Sequence, residues 1–201
     1  MNQAQSVLDR VSAKYEKSIA AGEKAQESLD QQTEGVGFLY SLASEAVFNW
    51  ELRDQERAFL DSIFQEVVGE IDQIARNSQY EGVSLLQGEL QNQEEIYVSN
   101  LNTTAEGLRL NNLSISTRED AYHAFDAVIS AYEHVSNSQA TVMEDIYKYQ
   151  GINETLRAQI TQMSTMQSTL NASLASRQMG GQIGGQSLQN GLSGLLIDMV
   201  G

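Results

Sequence analysis

The sequence contains no cysteine and no proline, and it has a single tryptophan among 201 residues. Without cysteine the chain forms no disulfide, so its redox compartment cannot be read from cysteine usage. Without proline nothing removes a backbone donor from a helix, and a composition rich in Ala, Gln, Glu and Leu favours long helices. Only 41% of the residues are hydrophobic and 7% are aromatic, which is low for a compact globule. The composition therefore predicts helices around a thin apolar core.

Basic residues are also scarce, with 12 Lys and Arg against 27 Asp and Glu and a formal net charge of -15. Phosphate-binding surfaces need clustered Lys and Arg, so we predict no nucleic-acid partner and no attraction to anionic lipid. No run of about 18 apolar residues is present, which predicts no membrane insertion. The N-terminal residues lack a basic region followed by an apolar stretch, so we expect no cleaved signal peptide.

Motifs for catalysis or metal binding are missing as well. The two histidines, His123 and His134, would lie ~16 Å apart along one helix, too far to share a metal ion. Carboxylate pairs such as Glu144 and Asp145 indicate a solvated helix face, because acid–base chemistry needs a cleft that raises one pKa. No P-loop, dinucleotide-binding or nucleophile-elbow motif occurs. We therefore predict no enzymatic activity, no cofactor and no metal.

Apolar residues recur at alternating spacings of three and four along three segments, as expected for helices that pack side by side. They predict one helix from residue 6 to about 52, a second ending near 77, and a third beginning at about 121. The third would be roughly 85 Å long, too long for a globule of this size. We predict an all-α, elongated antiparallel helical bundle or coiled-coil rod with a small β-hairpin. The predicted packing seam consists of Leu60, Phe64, Val67, Ile71, Ile74, Phe125, Val128, Tyr132, Val135, Val142, Ile146, Tyr149, Leu156 and Ile160.

Glycines and short β-prone runs mark the breaks in this pattern. Gly22, Gly35 and Gly37 fall inside the first helix, where each costs ~1 kcal/mol relative to Ala. Gly82 is suited to a turn with positive φ after the second helix. Two β-prone runs, at 96–98 and 108–110, flank a segment rich in Asn, Thr and Gly. They predict a β-hairpin at about 95–112 within a helical domain of residues 1–178.

The last part of the chain, residues 179–201, begins with a glycine-rich stretch that favours a flexible tail. Its end is amphipathic. Apolar residues on a tethered tail imply a surface that covers them, so we regard this end as a possible assembly or chaperone-binding segment. Its apolar residues include Leu188, Leu192, Leu195, Leu196 and Ile197.

Three segments resemble bacterial flagellin. Residues 70–75 and 80–86 are similar to the end of the second helix of the flagellin inner rod domain. Residues 113–121 resemble the entry into the long C-terminal rod helix, and residues 32–35 carry the Thr-Glu-Gly of the N-terminal helix. Their order and spacing agree with the inner rod domain over roughly residues 8–170.

The resemblance implies a structural subunit of the flagellar filament that assembles with itself or with other flagellin subunits and contributes to motility. It also implies export by the flagellar type III apparatus with an export chaperone, without a cleaved signal peptide, to an extracellular flagellum. A hook–filament junction relative fits the same motifs.

Some flagellin features are absent. The N-terminal assembly motif of the family is not present, so we expect the N-terminal half of the inner coiled-coil layer to be missing or replaced. The stretch that aligns with the family's receptor-binding segment, residues 39–48, carries no Arg, which argues against recognition there. The missing N-terminal motif favours an alternative: a flagellin-derived secreted or surface coiled-coil binding module that does not polymerise.

The net charge of -15 makes a prediction about salt. Like-charged monomers repel one another, and added salt screens that repulsion over a Debye length of about 10 Å at 0.1 M. We expect self-association, measured by sedimentation, to increase as NaCl is raised from about 0.01 M to 0.3 M. Weaker association at the higher salt concentration would contradict this electrostatic account.

Overall fold

The computed structural model describes the backbone of residues 2–88 and 96–198, and the side chains of these residues except 2, 4 and 179–198. In the described part the elements are helix α1 (Asn2–Phe48), helix α2 (Asp54–Asn77), strands β1 (Gln79–Tyr80) and β2 (Val83–Ser84), and helix α3 (Arg118–Asp198). The predicted all-α bundle with a small hairpin is confirmed. The end of α2 at Asn77 also agrees with the sequence prediction.

Contacts between helices show that α1 runs antiparallel to both α2 and α3. Gln32 of α1 contacts Ile71 of α2, whereas Arg57 near the start of α2 contacts Ala46 near the end of α1. On the other side of α1, Ser12 Oγ donates to Asn153 Oδ1 of α3 at 2.5 Å, and Arg118 Nε donates to the carbonyl of Val47 at 3.1 Å. α2 and α3 therefore run parallel to each other, with α1 antiparallel to each.

The buried face of α3 differs from the predicted seam at every second position. Val128, Val135 and Val142 are buried as predicted, but the intervening buried residues are small: Ala124, Ala131 and Ser138. The prediction had instead selected the large neighbours Phe125 and Tyr132. Phe125 is only partly buried, and Tyr132 is 49% exposed. The assignment of Tyr132 to the seam is wrong, because small residues let the helices approach closely and leave the large rings at the edge of the contact.

The other predicted seam residues lie on faces that are buried or partly buried. The buried ones are Phe64, Val67 and Ile71 in α2. The partly buried ones are Leu60, Ile74, Ile146, Tyr149, Leu156 and Ile160.

Two of the three glycines of α1 lie at close contacts between helices. A Cβ atom added at Gly22 would lie 2.7 Å from Ile146 Cγ1 in α3, and one at Gly35 would lie 3.0 Å from Ile71 Cγ1 in α2. A Cβ added at Gly37 would meet nothing within 4 Å. Gly22 and Gly35 thus allow α3 and α2, respectively, to pack closely against α1. Gly37, in contrast, faces open space.

The hairpin lies earlier in the chain than predicted. β1 pairs antiparallel with β2 through Tyr80 and Val83. The two residues between them, Glu81 and Gly82, have φ of 48° and 80°, as a two-residue type I′ turn requires. The described residues of the predicted hairpin, 96–112, contain one isolated bridge, from Asn102 to Gln87, and no strand. Placing the hairpin at about 95–112 is therefore wrong.

Segment 96–117 is held in place by side chains of the helices and by two backbone bonds to Leu86 and Gly88. Backbone groups that enter a core need partners even where no ladder forms. Asp72 Oδ1 of α2 accepts from the Ala105 amide at 3.0 Å. Asp61 Oδ1, also in α2, accepts from the Ile115 amide at 2.7 Å. The apolar side chains of the segment therefore enter the core without a sheet; they include Ile96, Leu108, Leu110 and Ile115.

The amide of Gln32 joins this segment to two helices. Gln32 is fully buried in α1, and its Nε2 donates to the carbonyls of Ile71 in α2 and Thr103 in the segment, each at 2.9 Å. Its Oε1 is buried and has no hydrogen-bond partner among the described residues. One side chain thus fixes the relative positions of α1, α2 and segment 96–117.

The C-terminal end of α1 is stabilised by arginines from the other two helices. α1 has no basic residue in its own last turn, where a cation is favourable and free carbonyls need donors. The buried Arg57 of α2 donates to the carbonyls of Ala46 at 2.6 Å and Asn49 at 3.2 Å. Arg118 contributes the bond to Val47 described above. These contacts fix the end of α1 against the starts of α2 and α3.

The chain divides into two compact units, one of Val11–Glu154 and one of Met1–Arg10 with Thr155–Gly201. The features described so far lie in the first unit, apart from Leu156 and Ile160. In the second unit the backbone of α3 stays helical through the glycine-rich stretch to Asp198. The predicted boundary at 178/179 therefore coincides with no break in the helix.

Replacing Gln32 by Ala tests its role in joining the three elements. The variant loses two buried hydrogen bonds and leaves a cavity and an unpaired carbonyl, so we expect the free energy of unfolding to fall by about 2–4 kcal/mol. Gln31→Ala is the matched control, since Gln31 is exposed on the same helix and should change stability by less than about 0.5 kcal/mol. Urea unfolding measures both. Equal effects of the two substitutions would refute the assigned role.

Candidate functional site

An open groove of about 580 Å³ lies between α1 and α3 in the first unit. Gly37 and Tyr40 of α1 line one side, and Ile129, Tyr132 and Glu133 of α3 line the other. Tyr40, Ile129 and Tyr132 are all exposed to solvent. Their position follows from the packing of α3, because its small residues face the core and its larger ones lie at the margin. An exposed groove of this composition is typical of a protein-binding surface.

Aromatic contacts extend this groove toward the end of α1. The rings of Tyr40 and Phe125 are 5.0 Å apart, and Phe48 meets Phe125 edge-on at 5.9 Å. Phe48 is nonetheless 63% exposed, and Trp50, just after the end of α1, is 76% exposed. Tyr40, Phe48 and Phe125 thus contact one another while much of their surface stays in water. We use the term aromatic groove for the five lining residues together with Phe48 and Phe125. The lining residues are Gly37, Tyr40, Ile129, Tyr132 and Glu133.

A second exposed apolar surface lies on α3 in the second unit. Met166, Leu170 and Leu174 are 51%, 52% and 56% exposed and lie four residues apart, on one side of the helix. α1 contributes only Asn2–Arg10 to this unit, against residues 155–198 of α3. From residue 158 to 197 the sequence has one charged residue, Arg177. Most of this part of α3 therefore has no helix from α1 beside it and carries almost no charge.

The predicted tail residues and the two histidines are located as follows. Leu188, Leu192, Leu195, Leu196 and Ile197 lie on helical backbone of α3, outside the residues whose side chains are described. His123 and His134 are both exposed. Among the described residues no group of three or more His, Cys, Asp or Glu is placed to hold a metal ion, and none of the helices is long and apolar enough to cross a membrane.

Three tyrosines form a cluster that sequence analysis did not single out as a group. The ring of Tyr15 lies 5.6 Å from Tyr97 and 5.7 Å from Tyr149, so the cluster joins α1, segment 96–117 and α3. Burial raises the pKa of the Tyr149 phenol above its ordinary value, and the nearby carboxylate of Asp145 raises it further. That carboxylate also accepts two bonds from Ser99, from its amide at 3.0 Å and its hydroxyl at 2.6 Å. The cluster stabilises the connecting segment.

Two long antiparallel helices, a shorter helix and a two-stranded hairpin define a helical-bundle class of protein. Comparison with solved structures finds the crystal structure of Bacillus cereus flagellin, with a TM-score of 0.62 and 18% sequence identity. The match covers 75% of this chain and 92% of that chain. The chain has a flagellin-like fold. No family model and no curated protein matches the sequence.

The raised pKa of Tyr149 predicts how stability depends on alkaline pH. Below the pKa of the phenol in the unfolded chain, about 10, both states are protonated and the stability is fully present. Above it the unfolded chain loses the proton first, so the free energy of unfolding falls as pH rises through the folded pKa. We expect Tyr149→Phe to make this fall shallower, as measured by urea unfolding between about pH 9 and 11.5.

Tyr147→Phe is the control, because Tyr147 lies on the same helix and is 64% exposed. It should leave the alkaline profile of the wild type unchanged. Identical profiles for Tyr149→Phe and the wild type would show that Tyr149 does not cause the predicted dependence.

Proposed function

We propose that this protein is a structural, non-enzymatic subunit of a bacterial flagellar filament that packs against copies of itself. The flagellin-like fold supports this proposal. The observation that carries it is the exposed apolar face of α3 at Met166, Leu170 and Leu174. An exposed helix of this kind gains most of its stability from packing against another helix. Export without a cleaved signal peptide, an extracellular location and a contribution to motility follow from the proposed role.

The absence of charge along this part of α3 favours copies of the same chain as its partners. Many identical helices can pack together only if like charges do not meet at their contacts. Residues 158–197 satisfy this condition, since Arg177 is their single charge, although the whole chain carries -15. The predicted assembly tail, residues 188–197, continues along the same helix.

The alternative remains a flagellin-derived binding module that does not polymerise. The departure of the sequence from the family's N-terminal assembly motif favours it. In the alternative, the exposed face of α3 binds a different protein, and the purified chain stays monomeric or dimeric at high salt.

The double variant Leu170→Glu with Leu174→Glu tests the proposed function. Burying each leucine contributes about 1.5–3 kcal/mol, so losing two should raise the critical concentration for assembly by at least about a hundredfold. Ser168→Glu with Ala172→Glu is the matched control, because it adds the same charge at exposed positions on the opposite side of the same helix. Sedimentation and electron microscopy after addition of salt or seeds measure assembly.

We expect the wild type and the control to form filaments and the leucine variant to stay soluble. Both variants should keep the circular dichroism of the wild type, since all four positions are exposed. Filaments of the leucine variant at wild-type concentrations would refute the role of this face. A wild type that never assembles would refute the filament proposal and support the binding module.

A further inference from the structure

We propose that the aromatic groove between α1 and α3 binds an amphipathic helix of another protein, one that carries Lys or Arg beside its apolar face. The groove lies in the first unit, whereas the surface proposed for assembly lies in the second. This inference therefore stands independently of the filament proposal.

The shape of the groove suits a helix. Two antiparallel helices with an open apolar channel between them form the type of site that accepts a third helix through anchors spaced three and four residues apart. Gly37 leaves one wall open, because a Cβ atom there would meet nothing within 4 Å. Tyr40 and Tyr132 offer exposed ring faces on the two sides. Leu or Phe anchors of a bound helix would fill this space.

The charges along the groove identify the chemistry of the partner. Residues 25–52 of the chain contain five Asp or Glu and no Lys or Arg. Residues 119–147 contain six Asp or Glu and again no Lys or Arg. Glu133 lies in the lining itself. The helix segments that form the groove thus have a net negative charge, with Arg57 and Arg118 bonded to carbonyls at the Phe48 end. A helix with Lys or Arg at the edges of its apolar face complements the acidic part, including by cation–π contacts with the tyrosines.

The same charges disfavour a second copy of this chain as the occupant. If the grooves of two copies faced each other, four acidic segments without basic residues would meet, and like charges at an interface are costly. The uncharged end of α3 offers no cation to the rim either, apart from Arg177. A separate basic helix fits the groove better than either surface of a second copy.

The test uses a fluorescent peptide of about 18 residues, five helical turns, with Leu at helical spacing of three and four and Lys elsewhere. Its binding to the full-length protein is followed by fluorescence anisotropy at low salt. We expect Gly37→Leu to weaken binding by at least about tenfold, because the new side chain occupies the groove without a clash in the chain. Gly69→Leu is the matched control, since a Cβ at Gly69, on α2, also meets nothing within 4 Å.

The control should bind the peptide as the wild type does, and a peptide with Glu in place of Lys should not bind. Equal binding by Gly37→Leu and the wild type would show that the attraction is diffuse and would overturn the site. Equal binding of the Glu peptide would overturn the charge argument. Dimerisation of the wild type that Gly37→Leu abolishes would identify a second copy as the occupant and overturn the proposal.

Discussion

The first unit depends on hydrogen-bond partners for backbone groups that are buried without strand pairing. The buried amide of Gln32 provides such partners. The described part of segment 96–117 forms no strand, so side chains of the helices supply partners for several of its buried backbone groups. Gln32 bonds the carbonyl of Thr103, and Asp72 and Asp61 accept from two of the segment's amides. Each of these bonds has its other partner on α1 or α2. The bonds therefore also fix the positions of α1 and α2 relative to the segment.

The close approach of the helices explains why the large side chains lie at the edges of the helix contacts. Gly22 and Gly35 bring α3 and α2 close to α1, and small residues such as Ala124 and Ala131 complete the contact with α3. Rings of the size of Tyr132 do not fit in such a contact and remain at its edge. The aromatic groove is therefore a consequence of the packing that makes the bundle compact, and its exposure does not require a destabilised core.

The chain therefore has two exposed surfaces, one acidic and one almost uncharged. The helices around the aromatic groove are acidic over residues 25–52 and 119–147, whereas residues 158–197 carry one charge. An acidic surface favours a basic partner and repels a second acidic surface. An uncharged apolar helix, in contrast, can pack against identical copies. One chain can thus combine self-assembly at one surface with binding of a different partner at another.

The sequence by itself determined the three helices, the end of α2, the turn at Gly82 and the resemblance to flagellin. Periodicity, helix-compatible composition and glycine conformations are local properties of a chain. It did not determine the register of α3, since Val128 and Val135 are compatible with seams that continue through either Ala131 or Tyr132. It also misplaced the hairpin, because the β-prone run 96–98 bonds side chains distant in sequence, including Ser18. Only the tertiary structure decided these points, since close approach and buried hydrogen bonds depend on residues that the sequence does not place side by side.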